Sequence, residues 1–339
     1  MEKEIKMNIC IAADEKYVTH LQVVMLSVME NNKQIEEIVF HIFEYGISSD
    51  MKIKIQSITG SYGRDVVFYN INNCIDCLKR KIRNVWAENN SYVAYARIYM
   101  SDILPETVKK FLYLDCDTLI IGSLKEIFQV DLGRNVLAGI KDVLPYAYKQ
   151  CMGFADGDYY NSGVLLFNAV AWRKENLTDL FFDYCNNHQE DVFPDQDAIN
   201  ILLKDRITTL HPQYCVFYPE NGWDSRRQIK GYGGDETSYY SLKDLDEAKK
   251  NPVIIHYVDT IIGRPWQSNN INPYAKQWLK YYAILPKSFR VEFAPKKMSI
   301  SGIIYRWMFR ILPESIFCKI YYLKRNKAVK LKMEEAHKC

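Results

Sequence analysis

The sequence predicts an α/β protein with a parallel sheet flanked by helices. Three observations predict it. Apolar strand-like runs alternate with helix-spaced segments through residues 7–71, the pattern of successive βαβ units. Several of the runs end on an aspartate. No internal repeat and no low-complexity linker interrupts residues 1–285, so they read as one domain, with residues 286–339 as a tail.

The elements follow in order. MNICIAAD reads as a first strand ending on Asp14, and VTHLQVVMLSVMENN follows with Val18, Leu21, Met25 and Val28 at helical spacing. IVFHIF (38–43) is a second strand. SSDMKIKIQSI then opens a helix, with Ser48 or Ser49 as its cap. VVFYNI (66–71) is a third strand, SYVAYARIYMSDIL (91–104) a helix ending before Pro105, and FLYL a strand. VLAGIKD (136–142), GVLLFN (163–168) and VIIHY (253–257) complete the strands, with helices expected over 170–188 and 195–205. The tail, 299–332, interleaves aromatics with Lys and Arg, and Pro313 divides it into two helices.

Composition narrows the class. The 339 residues are 48% hydrophobic and 25% charged, ordinary for a globular chain. The charged start, MEKEIKMNIC, lacks an apolar signal region, and there is no run of eighteen apolar residues. Nine cysteines without a framework read as reduced thiols, and Cys74 and Cys77 as two thiols one helical turn apart. These features lead to an expected cytoplasmic location. The net charge of +3 is uneven: residues 296–339 carry +8, which leaves −5 on the body. An acidic body argues against a nucleic-acid partner. The basic tail suits an anionic membrane surface, with Tyr305, Trp307, Phe309, Phe317, Tyr321 and Tyr322 as anchors on the inner face of the plasma membrane. A helical cap packed on the domain, or a homo-oligomer contact, is the other reading of that segment.

FLYLDCDTLII (111–121) sets two carboxylates, Asp115 and Asp117, inside an apolar run. Three other D-x-D pairs serve as controls: Asp156/Asp158 in a loop, Asp195/Asp197 at a helix start, and Asp244/Asp246 in a solvated stretch. Only Asp115/Asp117 has apolar flanks on both sides. In an extended segment the two share a face, with Cys116 on the other. Two carboxylates on one face suit a hard divalent cation. Alternatively, one caps a turn and the other pairs with a cation. Ligands of open α/β sheets sit beyond the carboxyl ends of strands, where Asp14, Asp115, Asp117 and Asp142 all fall.

The ordered series NICIAADEKY (8–17), YARIYMSDIL (95–104), FLYLDCDTLII, YYNSGVLLFNAVAW (159–172), DQDAIN (195–200) and HYVDTIIGRPW (256–266) resembles the retaining glycosyltransferases of family 8. The likeness is greatest to bacterial enzymes that add galactose or glucose to lipopolysaccharide. It implies a GT-A fold (a Rossmann-like, mainly parallel mixed sheet flanked by helices), a UDP-hexose donor, a saccharide or glycolipid acceptor, and Mn2+, with Mg2+ as the substitute. Carried over by residue, Asp115, Asp117 and His256 would hold the metal; His256 by itself reads as a core histidine. Ala12, Ala13, Asp14 and Tyr17 would take uracil and ribose, Asp14 also serving as a helix cap. Arg97 would reach the donor, or pair with the acids. Asn161, Asp142 and Asp195 would contact sugar or acceptor. Gln196 would lie under the anomeric carbon, where either an amide nucleophile or a same-face departure fits. Arg264 would bond the diphosphate. The sequence departs from the family in one loop: Asp259 takes a glycine position, and the segment to Pro265 is longer by about two residues. That departure supports a second reading, a UDP-sugar-binding scaffold without turnover. A two-metal phosphotransferase or nuclease is a third, to which YYNSG and DQD give little support.

Overall fold

The structure is a computed structural model that describes residues 5–81, 92–154, 158–188, 194–218, 220–231 and 239–336. Its regular elements are β1 (Lys6–Asp14), α1 (Val18–Asn31), β2 (Glu37–Tyr45), α2 (Ser49–Ser61), β3 (Asp65–Asn70), α3 (Asn72–Lys81), α4 (Ala96–Ile103), β4 (Lys110–Leu114), β5 (Thr118–Ile120) and α5 (Lys125–Gln129). There follow β6 (Leu137–Lys141), α6 (Tyr146–Cys151), β7 (Tyr160–Asn168), α7 (Ala169–Lys174), α8 (Leu177–Asn187), α9 (Pro194–Leu202), β8 (Ile207–Thr209), β9 (Val216–Phe217) and α10 (Ser225–Gly231). The last are α11 (Leu242–Lys250), β10 (Ile254–His256), α12 (Ala275–Ile284), α13 (Ile300–Ile311) and α14 (Glu314–Ala336). Ser91 and Asp156, named above in a helix and in a control pair, lie outside the described residues.

By compactness the chain forms two units. The first comprises Met1–Ile140, Ser162–Leu210 and Leu285–Arg290. It holds a seven-stranded sheet of order β3-β2-β1-β4-β7-β6-β8. β1 is parallel to β2 and β4, β2 to β3, and β6 to β8, whereas β7 runs antiparallel to β4. β1 and β2 each have seven consecutive buried residues, as a sheet covered on both faces requires. Ser48 caps α2 through its hydroxyl, and α1 is buried along most of its length.

One expected helix is two. The 170–188 segment breaks at Asn176, which adopts φ +50° between α7 and α8. Asparagine tolerates this left-handed backbone, and the break folds Trp172 back over Phe181 at 5.0 Å. Thr178 accepts the Trp172 indole N–H at 2.9 Å.

The second unit comprises Lys141–Asn161, His211–Ile284 and Val291–Cys339. Here β10 pairs in parallel with β9, setting His256 opposite Phe217. The tail is part of this unit. Pro313 separates α13 from α14, and α14 packs on α6 and α10. Four of the six expected lipid anchors, Tyr305, Phe317, Tyr321 and Tyr322, are buried in it, so they are not available to lipid. Phe317, Tyr321 and Tyr322 meet Trp223 edge-on, and Tyr305 packs on Phe317, the arrangement aromatic rings favour. The buried Glu220 accepts from the Tyr321 hydroxyl and pairs with Arg325 at 3.0 Å. The solvent side of α13 carries a different apolar set: Ile300, Ile303, Ile304, Trp307 and Ile311.

Candidate active site

In the first unit, the site begins where β4 ends. Asp115 and Asp117 do not continue the strand. Residues 115–118 make a turn, closed by Thr118 N–H donating to Asp115 O at 3.1 Å and by the Thr118 hydroxyl to the same oxygen at 2.8 Å. The extended alternation expected for the pair is therefore replaced by a turn, because β4 and β5 must part there. Cys116 still points away, its thiol donating to Ala12 O at 3.2 Å. Burial pushes the Cys116 thiol pKa well up, and Asp115, Asp117 and Asp14 add to it.

Arg97, on α4, is the hub of the acids. It is 3% exposed. Its guanidinium donates to Ser162 O at 2.5 Å, Ala94 O at 2.8 Å and Asp115 Oδ1 at 3.1 Å, and lies 3.5 Å from Asp195 Oδ2. It also stacks over Tyr113 at 4.6 Å. Burial alone would lower its pKa, but Asp115, Tyr113, Asp195 and Asp117 together outweigh that and raise it. The ion-pair alternative for Arg97 is thus what the structure contains, and it aims Asp115 and Asp195 from one cation. Tyr113 was not among the expected residues. Its hydroxyl donates to Asp115 Oδ1 at 2.5 Å. The i, i+2 spacing on one strand face was the available signal, hidden because a strand tyrosine reads as core.

Asp195 opens α9, and burial raises its carboxyl pKa against the opposing pull of Arg97. Gln196 is buried, and its Oε1 accepts the Ser162 N–H at 2.9 Å. Asp197 is fully buried on the same helix. At the end of β1, Ala13 is buried and Ala12 is 9% exposed, small side chains that leave room against the backbone. Asp14 Oδ1 accepts Tyr17 N–H at 3.1 Å, so the cap reading of Asp14 holds. Tyr17 packs edge-on to His20.

The second unit carries the remaining candidates. Asp142 follows β6, accepts Val143 N–H at 2.5 Å and takes a 3.2 Å bond from the Asn161 amide. His256 ends β10, is 5% exposed, and has its Nδ1 at 3.6 Å from Cys215 Sγ. Cys215 Sγ lies 4.0 Å from Asn161 Oδ1, so a polar chain joins His256, Cys215, Asn161 and Asp142. Cys215 is a residue that sequence reasoning missed, since a lone cysteine carries no signal of its own. A thiol beside Nδ1 helps to fix the orientation of the imidazole ring. Arg264 donates from Nε to Tyr257 O at 2.9 Å and lies 5.6 Å from the Trp266 ring. Asp259, the acid in a glycine position, pairs with Lys296.

Two carboxylates on one turn suit a hard divalent cation with oxygen ligands. Asp115 and Asp117 are both partly exposed, as ligands to an entering ion must be.

The family model for glycosyl transferase family 8 matches residues 8–270. The chain belongs to this family. As a family 8 glycosyltransferase it has relatives among named bacterial proteins. It is 27% identical to general stress protein A of Bacillus subtilis over 83% of this chain and 94% of that protein. It is also 27% identical to a lipopolysaccharide 1,2-glucosyltransferase of Escherichia coli K12, over 82% and 77% of the two chains. Among solved structures, the galactosyltransferase LgtC in complex with donor and acceptor sugar analogues aligns with TM-score 0.69 at 25% identity. That alignment covers 84% of this chain and 99% of the other. The fold is GT-A: a mostly parallel mixed sheet flanked by helices.

Proposed function

We propose that this glycosyltransferase moves glucose or galactose, with retention, from a UDP-sugar to a saccharide or glycolipid acceptor in the synthesis of lipopolysaccharide or another surface glycan. The observation that carries the reading is the cluster in which Arg97 joins Asp115 and Asp195 beside Gln196, within a chain of this family. A buried cation holding two acids is costly to build and serves to aim them.

In this reading Asp115, Asp117 and His256 hold Mn2+, with Mg2+ as the weaker substitute. When bound, the ion supplies Lewis acidity toward the charge on departing UDP. Ala12, Ala13, Asp14 and Tyr17 receive the uridine, and Arg264 the diphosphate. Asp142, Asn161 and Asp195 orient the sugar and acceptor hydroxyls. Gln196 sits beneath the ring with one Oε1 lone pair already taken by Ser162 N–H. That engagement makes its amide a still poorer nucleophile and favours same-face departure, with the acceptor proton passing to a donor phosphate oxygen.

The scaffold reading draws on Asp259, an acid near the residues assigned to the diphosphate. Its pairing with Lys296 weighs against that reading by neutralising the acid. For location, we infer cytoplasmic work at the inner face of the plasma membrane, supported by the exposed isoleucines and Trp307 of α13 together with Arg310. Among the described residues no helix is long and apolar enough to cross a membrane.

A panel of UDP-sugars with Mn2+, read by UDP release, tests the function. Turnover with one UDP-hexose, lost on chelation and in Asp117→Ala, is the expected result. UDP binding without turnover of any sugar would favour the scaffold, and turnover indifferent to metal would remove the Asp-Asp-His assignment.

A further inference from the structure

We propose that Lys296 and Arg306 are positioning residues that brace the loop after His256, and through it set how tightly the enzyme holds its UDP-sugar. The proposal rests on the reading of Arg264 as a diphosphate contact.

The loop, residues 257–272, is where the sequence departs from its family. Its own conformation is closely specified. Ile271 N–H donates to Ile262 O at 2.7 Å, and Gly263 N–H to Thr260 O at 3.2 Å. Gly263 adopts φ +77°, and a Cβ there would meet Gln267 Oε1 at 2.8 Å and Asn270 Cα at 3.3 Å. Gln267 Oε1 accepts Arg264 N–H at 2.8 Å. Arg264 is therefore aimed by the loop: its backbone rests on Gln267 and its side chain on Tyr257 O.

What holds the loop comes from a segment beyond the family match, which ends at residue 270. Ser268 N–H donates to Ala294 O at 3.1 Å. The Asn269 amide bonds Lys296 in both directions, donating to its O at 3.1 Å and accepting from its N–H at 2.8 Å. The Lys296 ammonium pairs with Asp259 and donates to Thr260 O at 3.0 Å. Arg306, on α13, donates from Nε to Ile261 O at 2.5 Å and from Nη1 to Asn269 O at 2.7 Å. One planar guanidinium thus ties together the two limbs of the loop, a task for which lysine lacks the geometry. Lys296 does a second thing: it cancels the acid at position 259, five residues from Arg264. The family's glycine needs no such partner. The extra residues and the acid are tolerated here because the chain continues into a segment that clamps them.

The test uses the full chain and measures binding of UDP with Mn2+, donor KM and kcat, and amide exchange across 257–271. Arg306→Gln is expected to weaken UDP binding and raise donor KM about tenfold, the loss of a charge-assisted hydrogen bond, with kcat changed less than about twofold. Exchange should quicken in 257–271 and stay unchanged in α14. Arg306→Lys should recover only part. Lys296→Met should also weaken UDP, and Asp259→Asn in the same chain should restore part of the loss. Faster loop exchange in Arg306→Gln with unchanged UDP affinity overturns the proposal, as does unchanged exchange. Arg264→Ala separates the two readings. If it weakens UDP and Arg306→Gln does not, the brace fails and the diphosphate contact stands. If only Arg306→Gln weakens UDP, the brace stands and the contact at Arg264 fails.

Discussion

Removing the Arg97 guanidinium should uncover the cost of the acids it holds. Arg97→Met keeps a long apolar stem but deletes the contacts to Ala94, Ser162, Asp115 and Asp195. Arg97 is 3% exposed, so water does not replace the lost charge. Breaking a buried pair from one side costs about 3–5 kcal/mol. At about 2 °C per kcal/mol for a large domain, the expected fall in Tm at pH 7 is about 6–10 °C. The pH dependence gives the sharper signature. Burial raises the Asp195 carboxyl, Arg97 opposes this, and Asp115 reinforces it. Without Arg97 the largest lowering influence is gone, and only the backbone hydrogen bonds from Asp195 and Gln196 still oppose burial and Asp115. A carboxyl with a raised folded pKa contributes its stability below the ordinary aspartate value of about 3.9, and loses it as pH rises through the folded value. The deficit of the variant should therefore be smallest near pH 4 and largest near neutrality. Differential scanning fluorimetry across that range measures it. A variant as stable as the parent at pH 7, or a deficit that grows toward acid, would refute the account of Arg97 as the counter-charge.

Three further outcomes are expected. Burial, helped by Lys6, lowers the His41 pKa to about 4, and its ring lies between Tyr69 and Asn8. This depressed group contributes stability above its unfolded pKa and loses it as pH falls toward about 4, so His41→Gln should flatten the loss of stability over that window; an NMR titration midpoint near the ordinary histidine value would contradict this. Cys215→Ala removes the partner of His256 Nδ1 and should weaken Mn2+ binding about tenfold, read by electron paramagnetic resonance of the free ion; Cys215→Ser should recover part, and unchanged affinity in the alanine variant would exclude the thiol from orienting the ring. Replacing Ile303, Ile304 and Trp307 together by serine should lower partition into anionic vesicles by about tenfold or more without changing Tm; equal partition would sink the membrane role of α13.

Much of the fold was legible because the strands of a buried parallel sheet are apolar runs. β1, β2 and β4 end within a residue or two of where the sequence places them. The helix break at Asn176 was not legible, since no glycine or proline marks it in residues 170–188. The antiparallel run of β7 was equally hidden, because an apolar run has no direction. At the site, the controls singled out Asp115 and Asp117, but their turn depends on strands β4 and β5 parting, which no local signal announces.

The sequence alone determined the chemistry available to this protein. Ordered motifs placed it in family 8, and the polar candidate residues they supplied are carboxylates, two arginines, an asparagine, a glutamine, a tyrosine and a histidine. Spacing along a chain states which groups exist and roughly which strand end carries them. Only the tertiary structure decided who faces whom. It gave Arg97 two acids, set Cys215 on His256, buried the tail aromatics against Trp223, and supplied Lys296 to Asp259. Each of these couples residues far apart in sequence, and at Arg97 and His256 burial is the reason, because a charge or a polar ring atom there needs a partner that water no longer provides.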